Sequence, residues 1–493
     1  MRFRTYAEFL ARHKWTIVVA VVVIVGVLFM SKQTGHFAAI AGEQGNDDAY
    51  ISFRYAKNLA DGNGLVYNVG ERVEGYSNLL FTLIVAAGIK LAGEQWTYDY
   101  SIWINLAGAI LMLILIGRSH LSRTAKIGGI LLTGITPAFA FWAASGLESV
   151  AVAAIQVGII LLTEEMVRLK GTQHRLAIGL VVLCGTSILL RADGFLIPLL
   201  ALLYTGLRKR PESLAVAGGI AIAMAGQFGF RKSYYGDWWP NTYYAKVDGT
   251  LSDRLLSAYN VTSMLFWQTG IFLAVGVLVL GTGWYIWKKR GNVLMIPFRY
   301  WFFTAWCGYF TWIGGDIYQE RFLLAFFPLG WITLCGAIRW GLANNQVGKR
   351  RLQTAIIAAT LAIAVASPRW ITYDRQAELN SVGWAFLGQM LKSAGPDATL
   401  AVDAAGKSPF FSGLKTIDML GLNDKHIGRL PIQEGKFILG HSKSDWDYVM
   451  AKEPDFLASW AMMDSPMGMT EPESIIVAGK TLGEYTDRGY KLH

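Results

Sequence analysis

Two adjacent carboxylates, Asp47 and Asp48, open the polar stretch of this sequence that is best equipped for chemistry. An ionised carboxylate can accept the proton of an attacking hydroxyl group, and a positively charged side chain can stabilise a phosphate leaving group. The candidates for that second role, in order of preference, are Lys246, Arg321 and Arg191. Together these residue types suit a transfer reaction between a lipid-linked phosphate substrate and a polar acceptor.

A short amphipathic helix is predicted to carry the two carboxylates along a membrane surface. Its apolar residues recur at helical spacing on one face: Ala49, Phe53, Ala56 and Ala60. Gly62-Asn63-Gly64 supplies a stop, so Asp47 and Asp48 occupy the first turn of the helix. Acidic residues in a first turn also cap a helix and interact favourably with its dipole, so capping is the alternative to catalysis for this pair.

The composition indicates a polytopic membrane protein. Of the 493 residues, 53% are hydrophobic and 16% are charged, and the apolar residues form runs of membrane-spanning length separated by short basic connectors. The formal charge of +10 resides in those connectors, which is the positive-inside pattern, so nucleic acid is not an expected partner. All three cysteines lie inside apolar runs and indicate neither a disulfide framework nor a zinc site: Cys184, Cys307 and Cys335.

The basic clusters select one membrane topology of about eleven spans. The first apolar run, Trp15 to Met30, follows several basic residues and is longer than the apolar core of a typical signal peptide. We therefore expect it to be an uncleaved membrane anchor. Leu79 to Leu91 is short, contains Lys90 and lacks a following basic cluster, which favours a helix at the interface over a span. With that choice every basic cluster falls on the side of the N-terminus, and the last span lies near Thr354 to Ala366.

The connectors on the opposite face carry ionisable and aromatic residues: Asp47, Asp48, Glu148, Arg191, Asp193, the segment Tyr234 to Lys246, Asp316 and Arg321. Ionisable groups near the bilayer boundary are unfavourable unless they pair or line an aqueous cavity, so we expect a cavity at this face. Ordinary roles remain open, namely an interfacial aromatic belt for Tyr234 to Tyr244, snorkelling for Lys246, and helix capping for Glu148 and Asp193. Two glycines precede Asp316, and they would let the backbone approach a ligand closely.

The domain organisation follows from the apolar runs. Residues 1–367 are predicted to form an α-helical transmembrane catalytic domain, and residues 368–493 a small extracytoplasmic α/β domain. Short strands are predicted at Thr399 to Asp403 and Asp455 to Ser459, with helices at Val382 to Leu391 and around Trp446.

Several motifs are spread from about Asp47 to Asp447. They are Asp47-Asp48-Ala-Tyr-Ile-Ser-Phe-Arg-Tyr-Ala, Gly64-Leu-Val-Tyr-Asn68, Gly70-Glu71-Arg72-Val-Glu-Gly-Tyr-Ser-Asn78, Gly146-Leu-Glu, Arg191-Ala-Asp-Gly, Tyr235-Gly-Asp-x-x-Pro-Asn-Thr-x-Tyr-Ala-Lys246, Gly315-Asp-x-x-x-x-Arg-Phe322, Asp403-Ala-Ala-Gly-Lys and Ile417-Asp-Met-Leu-Gly-Leu-Asn-Asp424. They resemble the GT-C superfamily of membrane glycosyltransferases, most closely its arabinofuranosyltransferase-like branch. The resemblance implies the GT-C fold, with amphipathic juxtamembrane helices in the first outer loop.

The resemblance also implies an activity and roles for individual residues. It implies an inverting transferase that moves a sugar, D-arabinofuranose foremost, from a polyprenyl-phosphate donor. Asp47 occupies the position of the catalytic base, and Asp48 would support the acceptor or a divalent cation such as Mg²⁺ or Ca²⁺. The candidates for binding the acceptor or the sugar are Glu148, Asp193, Asp316, Tyr76, Asn78, Asn241 and Tyr244.

The expected setting is the bacterial cytoplasmic membrane, with the N-terminus in the cytoplasm and the active site outside. The acceptor is a glycan or a pilin-like protein. Two alternatives stay open at this point: transfer of another sugar such as mannose on the same fold, and transport of a polyprenyl-linked sugar without bond chemistry. Transporters often show paired halves and midplane binding sites, whereas here the polar residues gather at one face.

Overall fold

The chain forms two compact units in a computed structural model. The structure describes residues 2–41, 45–247, 249–268, 271–288, 292–341, 383–432, 437, 440–459, 476–477 and 480–481. Unit 1 comprises Met1–Ile40, Ser101–Gln227 and Arg254–Gln376, and unit 2 comprises Ala41–Tyr100, Phe228–Asp253 and Ala377–His493. The expected last span near Thr354 to Ala366 and the expected domain boundary at 367/368 lie outside the described residues, so both stay predictions.

Helices make up most of the described chain. In chain order they are α1 (Arg2–Ala41), α2 (Asp47–Ala60), α3 (Leu79–Ala92), α4 (Thr97–Arg118), α5 (Arg123–Ile135), α6 (Pro137–Ala143), α7 (Ser149–Arg168), α8 (His174–Leu190), α9 (Leu196–Leu207), α10 (Ser213–Tyr235), α11 (Asn241–Lys246), α12 (Leu251–Gln268), α13 (Ile271–Lys288), α14 (Phe298–Trp312), α15 (Phe326–Gly341), α16 (Trp384–Leu391), α17 (Lys407–Ser412), α18 (Lys425–Gly428) and α19 (Trp446–Ala451). Short 3-10 turns occur at Glu94–Trp96, Val293–Met295, Gln319–Leu323 and Lys392–Ala394.

Apolar helices of membrane-spanning length occur among the described residues. Four of them are long and apolar enough to cross a bilayer, and the bent pair of α5 and α6 makes a fifth if it is one span. Further apolar helices of 10–17 residues include α3, α8 and α9. Helix α3 has 14 residues and is shorter than the roughly 20 residues that a span requires. The chain is therefore a multi-pass membrane protein, and the count of about eleven spans stays a prediction.

A small parallel sheet lies in unit 2. Its strands are β1 (Thr399–Val402), β2 (Lys415–Asp418) and β3 (Phe456–Ala458), in the order β2-β1-β3. The connection from β1 to β2 contains α17, as parallel strands require a crossover. Strands β1 and β3 and helices α16 and α19 match the predicted elements closely. Strands β4 (Ile476–Val477) and β5 (Lys480–Thr481) form a separate antiparallel pair.

Helix α2 is anchored within unit 2 by the buried guanidinium group of Arg54. Its Nε donates to the carbonyl oxygen of Tyr67 at 2.8 Å, and Nη2 donates to Asn68 Oδ1 at 3.1 Å. The same group also donates to the carbonyl oxygens of Pro409 and Leu414, which flank the end of α17. Because Arg54 is 6% exposed, these acceptors have little access to water. Arg54 therefore fastens the predicted amphipathic helix to the segment that follows β1.

We expect Arg54→Met to destabilise unit 2, because the carbonyl oxygens that Arg54 now satisfies would be left buried without donors. The loss is about 3 kcal/mol or more, from at least two unsatisfied buried acceptors. Thermal unfolding of the detergent-purified protein measures it. Lys57→Met, on the same helix but in a partly exposed pair with Glu94, is the control and should leave the midpoint nearly unchanged. Equal midpoints for both variants would contradict the anchoring role.

Candidate active site

Asp47 is the first residue of α2, but it does not cap that helix. Asn46 is the N-cap, and its side-chain oxygen accepts the backbone N–H of Asp48 at 2.9 Å. The Asp47 carboxylate faces the segment after β1 instead, where Oδ1 accepts the backbone N–H of Lys407 at 2.8 Å and Oδ2 accepts that of Gly406 at 3.0 Å. Asn46, not Asp47, caps α2. The Asp47 carboxylate is instead held in a fixed orientation by the backbone of Gly406 and Lys407, which are distant in sequence.

The electrostatic surroundings of Asp47 favour a proton acceptor that titrates near neutral pH. Partial burial raises the pKa of Asp47 to about 6, and the charge of Asp48 also raises it. The two backbone N–H groups and the ammonium group of Lys407 act in the opposite direction by stabilising the ionised form. A carboxyl group with a pKa near the operating pH is a more effective general base than an ordinary surface aspartate.

Lys407 is a site residue that sequence reasoning missed. Its side chain is 0% exposed, and Nζ has no hydrogen-bond partner among the described residues. Burial lowers the pKa of Lys407 to about 8, while the nearby Asp47 charge raises it. Residues 403–407 stand in one of the motifs that carry the GT-C resemblance, but nothing in the local pattern indicates that Lys407 lies beside Asp47.

Aromatic side chains pack α2 against α17 around this site. The ring of Tyr50 lies 5.2 Å from that of Phe410 and 5.3 Å from that of Phe411, measured between centroids. The hydroxyl of Tyr67 donates to the carbonyl oxygen of Ala405 at 2.6 Å. These contacts bury the interface between α2 and α17, and burial is the main cause that penalises the charged form of Asp47 at the start of α2.

Two candidates for acceptor or sugar binding, Tyr76 and Asn78, are buried inside unit 2. Tyr76 is 2% exposed, packs against Tyr55 at 4.9 Å between ring centroids, and its hydroxyl lies 3.2 Å from that of Tyr235. Asn78 accepts a hydrogen bond from Ser52 at 2.9 Å. Both side chains therefore support the packing around α2 and α3.

Asn241 is also buried, and it organises the turn that follows β2. Its Nδ2 donates to the carbonyl oxygens of Gly421 at 2.8 Å, Leu422 at 3.1 Å and Asp424 at 3.1 Å. The Asn241 amide thus secures the end of the Ile417–Asp424 motif.

The other two candidates on α11, Tyr244 and Lys246, are more accessible. The guanidinium group of Arg429 lies 4.5 Å from the centre of the half-buried Tyr244 ring. Lys246 ends α11 and is half-buried, and within the described part of the chain its ammonium group has no ion-pair partner. An uncompensated lysine at this position is available to an anionic ligand.

In unit 1, three predicted site residues come together at the junction of α8 and α9. Arg191 donates to Glu148 at 3.1 Å and to Asp193 at 2.8 Å, and the hydroxyl of Tyr309 donates to Asp193 at 2.8 Å. The Arg191 charge and these hydrogen bonds outweigh burial and lower the pKa of Asp193. A cavity beside this group is lined by Arg191, Asp193 and Trp306, among others.

A second ion pair in unit 1 joins the remaining two candidates. Arg321 makes a bidentate pair with Asp316, with both N···O distances at 2.9 Å. Arg321 lies 5.3 Å from the ring centre of Phe322, and Arg191 lies 4.4 Å from the same ring. Both arginines predicted to bind phosphate are therefore already paired with carboxylates, and they lie against the same aromatic ring.

A group of side chains suited to a metal ion is not found among the described residues. No three His, Cys, Asp or Glu side chains lie close enough together there to hold one. At the Asp47–Asp48 pair, both oxygens of Asp47 already accept backbone N–H groups, and Lys407 supplies a positive charge beside them. The donor set does not fit a cation bound through Asp47, and Asp48 is the carboxylate that could offer it a ligand.

We expect Gly406→Ala to disturb this site, because a Cβ atom at position 406 would lie 1.9 Å from the backbone oxygen of Asp47 and 2.6 Å from its Oδ2. The backbone must move to relieve that overlap, and we expect this to lower the free energy of unfolding by about 1–3 kcal/mol. Thermal unfolding in detergent measures the change. Gly229→Ala, at a helical position with nothing within 4 Å of the added carbon, is the control and should be neutral or slightly stabilising. Unchanged stability of Gly406→Ala would contradict the close approach.

Comparison with protein families and with curated sequences finds related chains. A domain of unknown function, DUF8728, matches residues 369–492. A terminal β-(1→2)-arabinofuranosyltransferase from Mycobacterium tuberculosis is 30% identical over 219 residues, which cover 41% of this chain and 34% of that protein. The match therefore spans about a third of the length of this curated relative.

Comparison with solved structures identifies the fold. ArnT from Cupriavidus metallidurans, in a crystal structure bound to undecaprenyl phosphate, matches with a TM-score of 0.50 and 13% identity, covering 82% of this chain and 86% of that one. The archaeal oligosaccharyltransferase AglB from Archaeoglobus fulgidus, in complex with an inhibitory peptide and a dolichol-phosphate, matches with a TM-score of 0.54 and 14% identity, covering 81% and 64%. The predicted resemblance is confirmed: this chain has the GT-C fold and is similar in sequence to the arabinofuranosyltransferase-like branch.

Proposed function

We propose that this protein is an inverting glycosyltransferase that uses Asp47 as general base. The donor is a polyprenyl-phosphate-linked sugar, D-arabinofuranose foremost, and the acceptor is a hydroxyl group of a glycan or of a pilin-like protein. The reaction takes place at the outer face of the bacterial cytoplasmic membrane, and the N-terminus of the chain lies in the cytoplasm. Residues 368–493 form an extracytoplasmic domain.

The geometry of Asp47 is the observation that carries this proposal. Its carboxylate is fixed by two backbone N–H groups at 2.8 and 3.0 Å, and burial brings its pKa to about 6. A carboxylate that serves only to stabilise an ion pair usually has a pKa below its ordinary value. A fixed carboxylate with a raised pKa matches the requirements of a general base.

The comparisons support the donor class and the sugar. ArnT was solved with undecaprenyl phosphate and AglB with a dolichol-phosphate, and both structures are similar in fold to this chain. The name of the mycobacterial relative gives arabinofuranose as the sugar that it transfers. A polyprenyl-phosphate arabinofuranose donor agrees with both findings.

The reaction follows as a single displacement. The acceptor hydroxyl oxygen attacks the anomeric carbon of the sugar while Asp47 takes the hydroxyl proton. A new bond forms between that oxygen and the anomeric carbon, and the bond from the anomeric carbon to the phosphate oxygen breaks. The phosphate leaves with the electron pair as polyprenyl phosphate, and a positively charged side chain stabilises it. Attack opposite the leaving group inverts the configuration of the sugar.

Lys246 is the first choice for the residue that binds the donor phosphate. Within the described part of the chain Lys246 makes no ion pair with a carboxylate, so its charge is available to a phosphate. Arg191 and Arg321 would have to exchange carboxylates for the phosphate, which makes them secondary ligands. Glu148, Asp193 and Asp316 then hold those arginines in place.

The candidate residues for binding the acceptor or the sugar differ in how accessible their side chains are. Tyr244 is accessible enough to touch a sugar, and Asp48 lies beside the base, where it can orient the acceptor or hold a divalent cation. Tyr76, Asn78 and Asn241 shape the surrounding structure through the hydrogen bonds that they make inside unit 2.

We expect Asp47→Asn to reduce sugar transfer by a factor of about 100 to 10,000, because an amide cannot accept the hydroxyl proton. The measurement is release of polyprenyl phosphate from synthetic polyprenyl-phosphate arabinofuranose by the purified protein, with an arabinan oligosaccharide as acceptor. Asp61→Asn, an exposed substitution at the other end of α2, is the matched control and should retain wild-type turnover.

Other outcomes of this assay separate the alternatives. Wild-type turnover by Asp47→Asn would remove Asp47 as the base. Turnover only with a mannose donor would change the sugar and leave the mechanism in place. Movement of the intact lipid across a liposome membrane, without release of polyprenyl phosphate from any donor, would replace the transferase by a transporter. EDTA, with Mg²⁺ or Ca²⁺ added back, tests the role of a cation at Asp48.

We expect Lys246→Met to weaken binding of undecaprenyl phosphate by about tenfold to 100-fold, since a charge-assisted contact is lost. Titration of the purified protein with the lipid, followed by tryptophan fluorescence, measures the dissociation constant. Lys415→Met removes an exposed lysine on β2 and should bind the lipid as the wild type does. An unchanged constant for Lys246→Met would exclude Lys246 as a phosphate ligand.

A further inference from the structure

The hydroxyl group of Tyr67 makes a buried hydrogen bond next to the proposed base. It donates to the carbonyl oxygen of Ala405 at 2.6 Å, and Tyr67 is 2% exposed. That carbonyl oxygen belongs to the peptide group that joins Ala405 to Gly406. The N–H of the same peptide group donates to Asp47 Oδ2 at 3.0 Å. One peptide group therefore separates the Tyr67 hydroxyl from the Asp47 carboxylate.

A peptide group transmits orientation because it is planar. Its C=O and N–H bonds point in opposite directions in the usual trans form, so a partner that fixes the oxygen also fixes the direction of the N–H. Here Tyr67 holds the oxygen of the Ala405–Gly406 peptide group, and the N–H meets the carboxylate at the opposite edge. Hydrogen bonds connected in this way also polarise one another, which makes the N–H a better donor to Asp47.

Tyr67 is itself held by α2, the helix that begins at Asp47. The backbone oxygen of Tyr67 accepts Arg54 Nε at 2.8 Å and Asn58 Nδ2 at 3.0 Å. The Arg54 guanidinium group also lies 4.5 Å from the centre of the Tyr67 ring, within the range of a cation–π contact. A continuous series of contacts thus starts on α2, passes through Tyr67 and the peptide group before Gly406, and returns to Asp47.

We propose that Tyr67 is a positioning residue for the general base: its hydroxyl group fixes the Ala405–Gly406 peptide group, whose N–H aims the Asp47 carboxylate at the acceptor. The proposal rests on the proposed role of Asp47 as general base. Tyr67 acts through this peptide group and not on the substrate, because its hydroxyl is buried and already donates to Ala405. A displacement of about 1 Å at a reacting group can lower a rate about 100-fold, so a small rotation of the peptide group is enough to slow transfer.

The hydroxyl group, rather than the ring, has this role. A phenyl ring at position 67 would fill the same space and keep the contact with Arg54, but it would not donate to the Ala405 oxygen. Tyr67→Phe therefore separates packing from positioning. Tyr235→Phe is the matched control, because the Tyr235 hydroxyl is also buried in unit 2 and donates to the backbone oxygen of Leu65 at 2.6 Å.

The first experiment measures amide hydrogen exchange at Gly406 in the detergent-purified protein, without turnover. Residue-resolved mass spectrometry reports how often the Gly406 N–H leaves its acceptor. In Tyr67→Phe we expect exchange at Gly406 to be about threefold to tenfold faster, because the peptide group has lost one hydrogen bond. Tyr235→Phe should keep the wild-type exchange rate at Gly406. Wild-type exchange in Tyr67→Phe would overturn the link between Tyr67 and the base.

The second experiment measures sugar transfer from polyprenyl-phosphate arabinofuranose to an arabinan oligosaccharide. In Tyr67→Phe we expect kcat to fall about fivefold to 50-fold while both KM values stay within about twofold, because the base is misaligned and the binding residues are unchanged. Tyr235→Phe should keep the wild-type kcat. Faster exchange at Gly406 with an unchanged kcat in Tyr67→Phe would overturn the positioning role.

A double variant shows whether Tyr67 acts through Asp47. In Asp47→Asn no general base remains to be aimed, so adding Tyr67→Phe should not lower the residual transfer further. Losses that multiply in the double variant would mean that Tyr67 acts elsewhere, and they would overturn the proposal. Wild-type transfer by Asp47→Asn alone would instead overturn the proposed function, and this proposal with it, whatever the exchange rate at Gly406.

A third variant, with p-aminophenylalanine at position 67, covers the case in which Tyr67→Phe fails to fold. Its amino group keeps an N–H donor in place of the hydroxyl, but an aromatic amine is a weaker donor than a phenol. We expect exchange at Gly406 to be about twofold to threefold faster and kcat to be about twofold to fivefold lower, since the hydrogen bond is weakened and not lost. Unchanged exchange, unchanged kcat or failure of this variant to fold would each overturn the proposal.

Discussion

The fixed carboxylate of Asp47 is the feature on which the rest of unit 2 depends. Its two oxygens accept N–H groups from residues 359 and 360 positions later in the chain. Three features of unit 2 are consistent with that approach: Gly406 has no side chain to obstruct it, Arg54 bonds to carbonyl oxygens around α17, and the ring of Tyr50 packs against Phe410. The arrangement keeps a partly buried charge in one orientation, which is the structural requirement for directed proton transfer.

The ion pairs of unit 1 are governed by a different constraint. Arg191 and Arg321 are largely withdrawn from water, and an unpaired guanidinium group there would be strongly unfavourable. Glu148, Asp193 and Asp316 meet that requirement without any ligand. A buried arginine is therefore not by itself a ligand-binding residue, because carboxylates of the protein itself can neutralise its charge.

Local patterns in the sequence predicted much of this architecture. Helix α2 and strands β1 and β3 follow from hydrophobic spacing and from glycine stops, and their observed bounds differ from the predicted ones by a few residues at most. Short-range rules could not distinguish Asn46 from Asp47 as the cap, since both residue types serve that role equally well. The choice was made by the tertiary contact with Gly406 and Lys407.

The partners of the charged side chains were the feature of the structure that was least predictable from the sequence. The pairing of Arg191 with Glu148 joins residues 43 positions apart, and that of Asp47 with the Lys407 backbone joins residues 360 apart. Periodicity carries no information over such separations. The motifs around Asp403 and Ile417 carried part of the GT-C resemblance, but they did not indicate that the tail contacts α2 or which atoms meet.

The long separation between Asp47 and Lys407 has a consequence for biosynthesis. A ribosome adding about 5 to 20 residues per second needs roughly 20 to 70 seconds to travel from one residue to the other. During that interval Asp47 has already been synthesised, but its carboxylate lacks both backbone donors. The nascent chain therefore inserts into the membrane with an unassembled centre, and the centre forms only when the segment after β1 has been made and folded back onto α2.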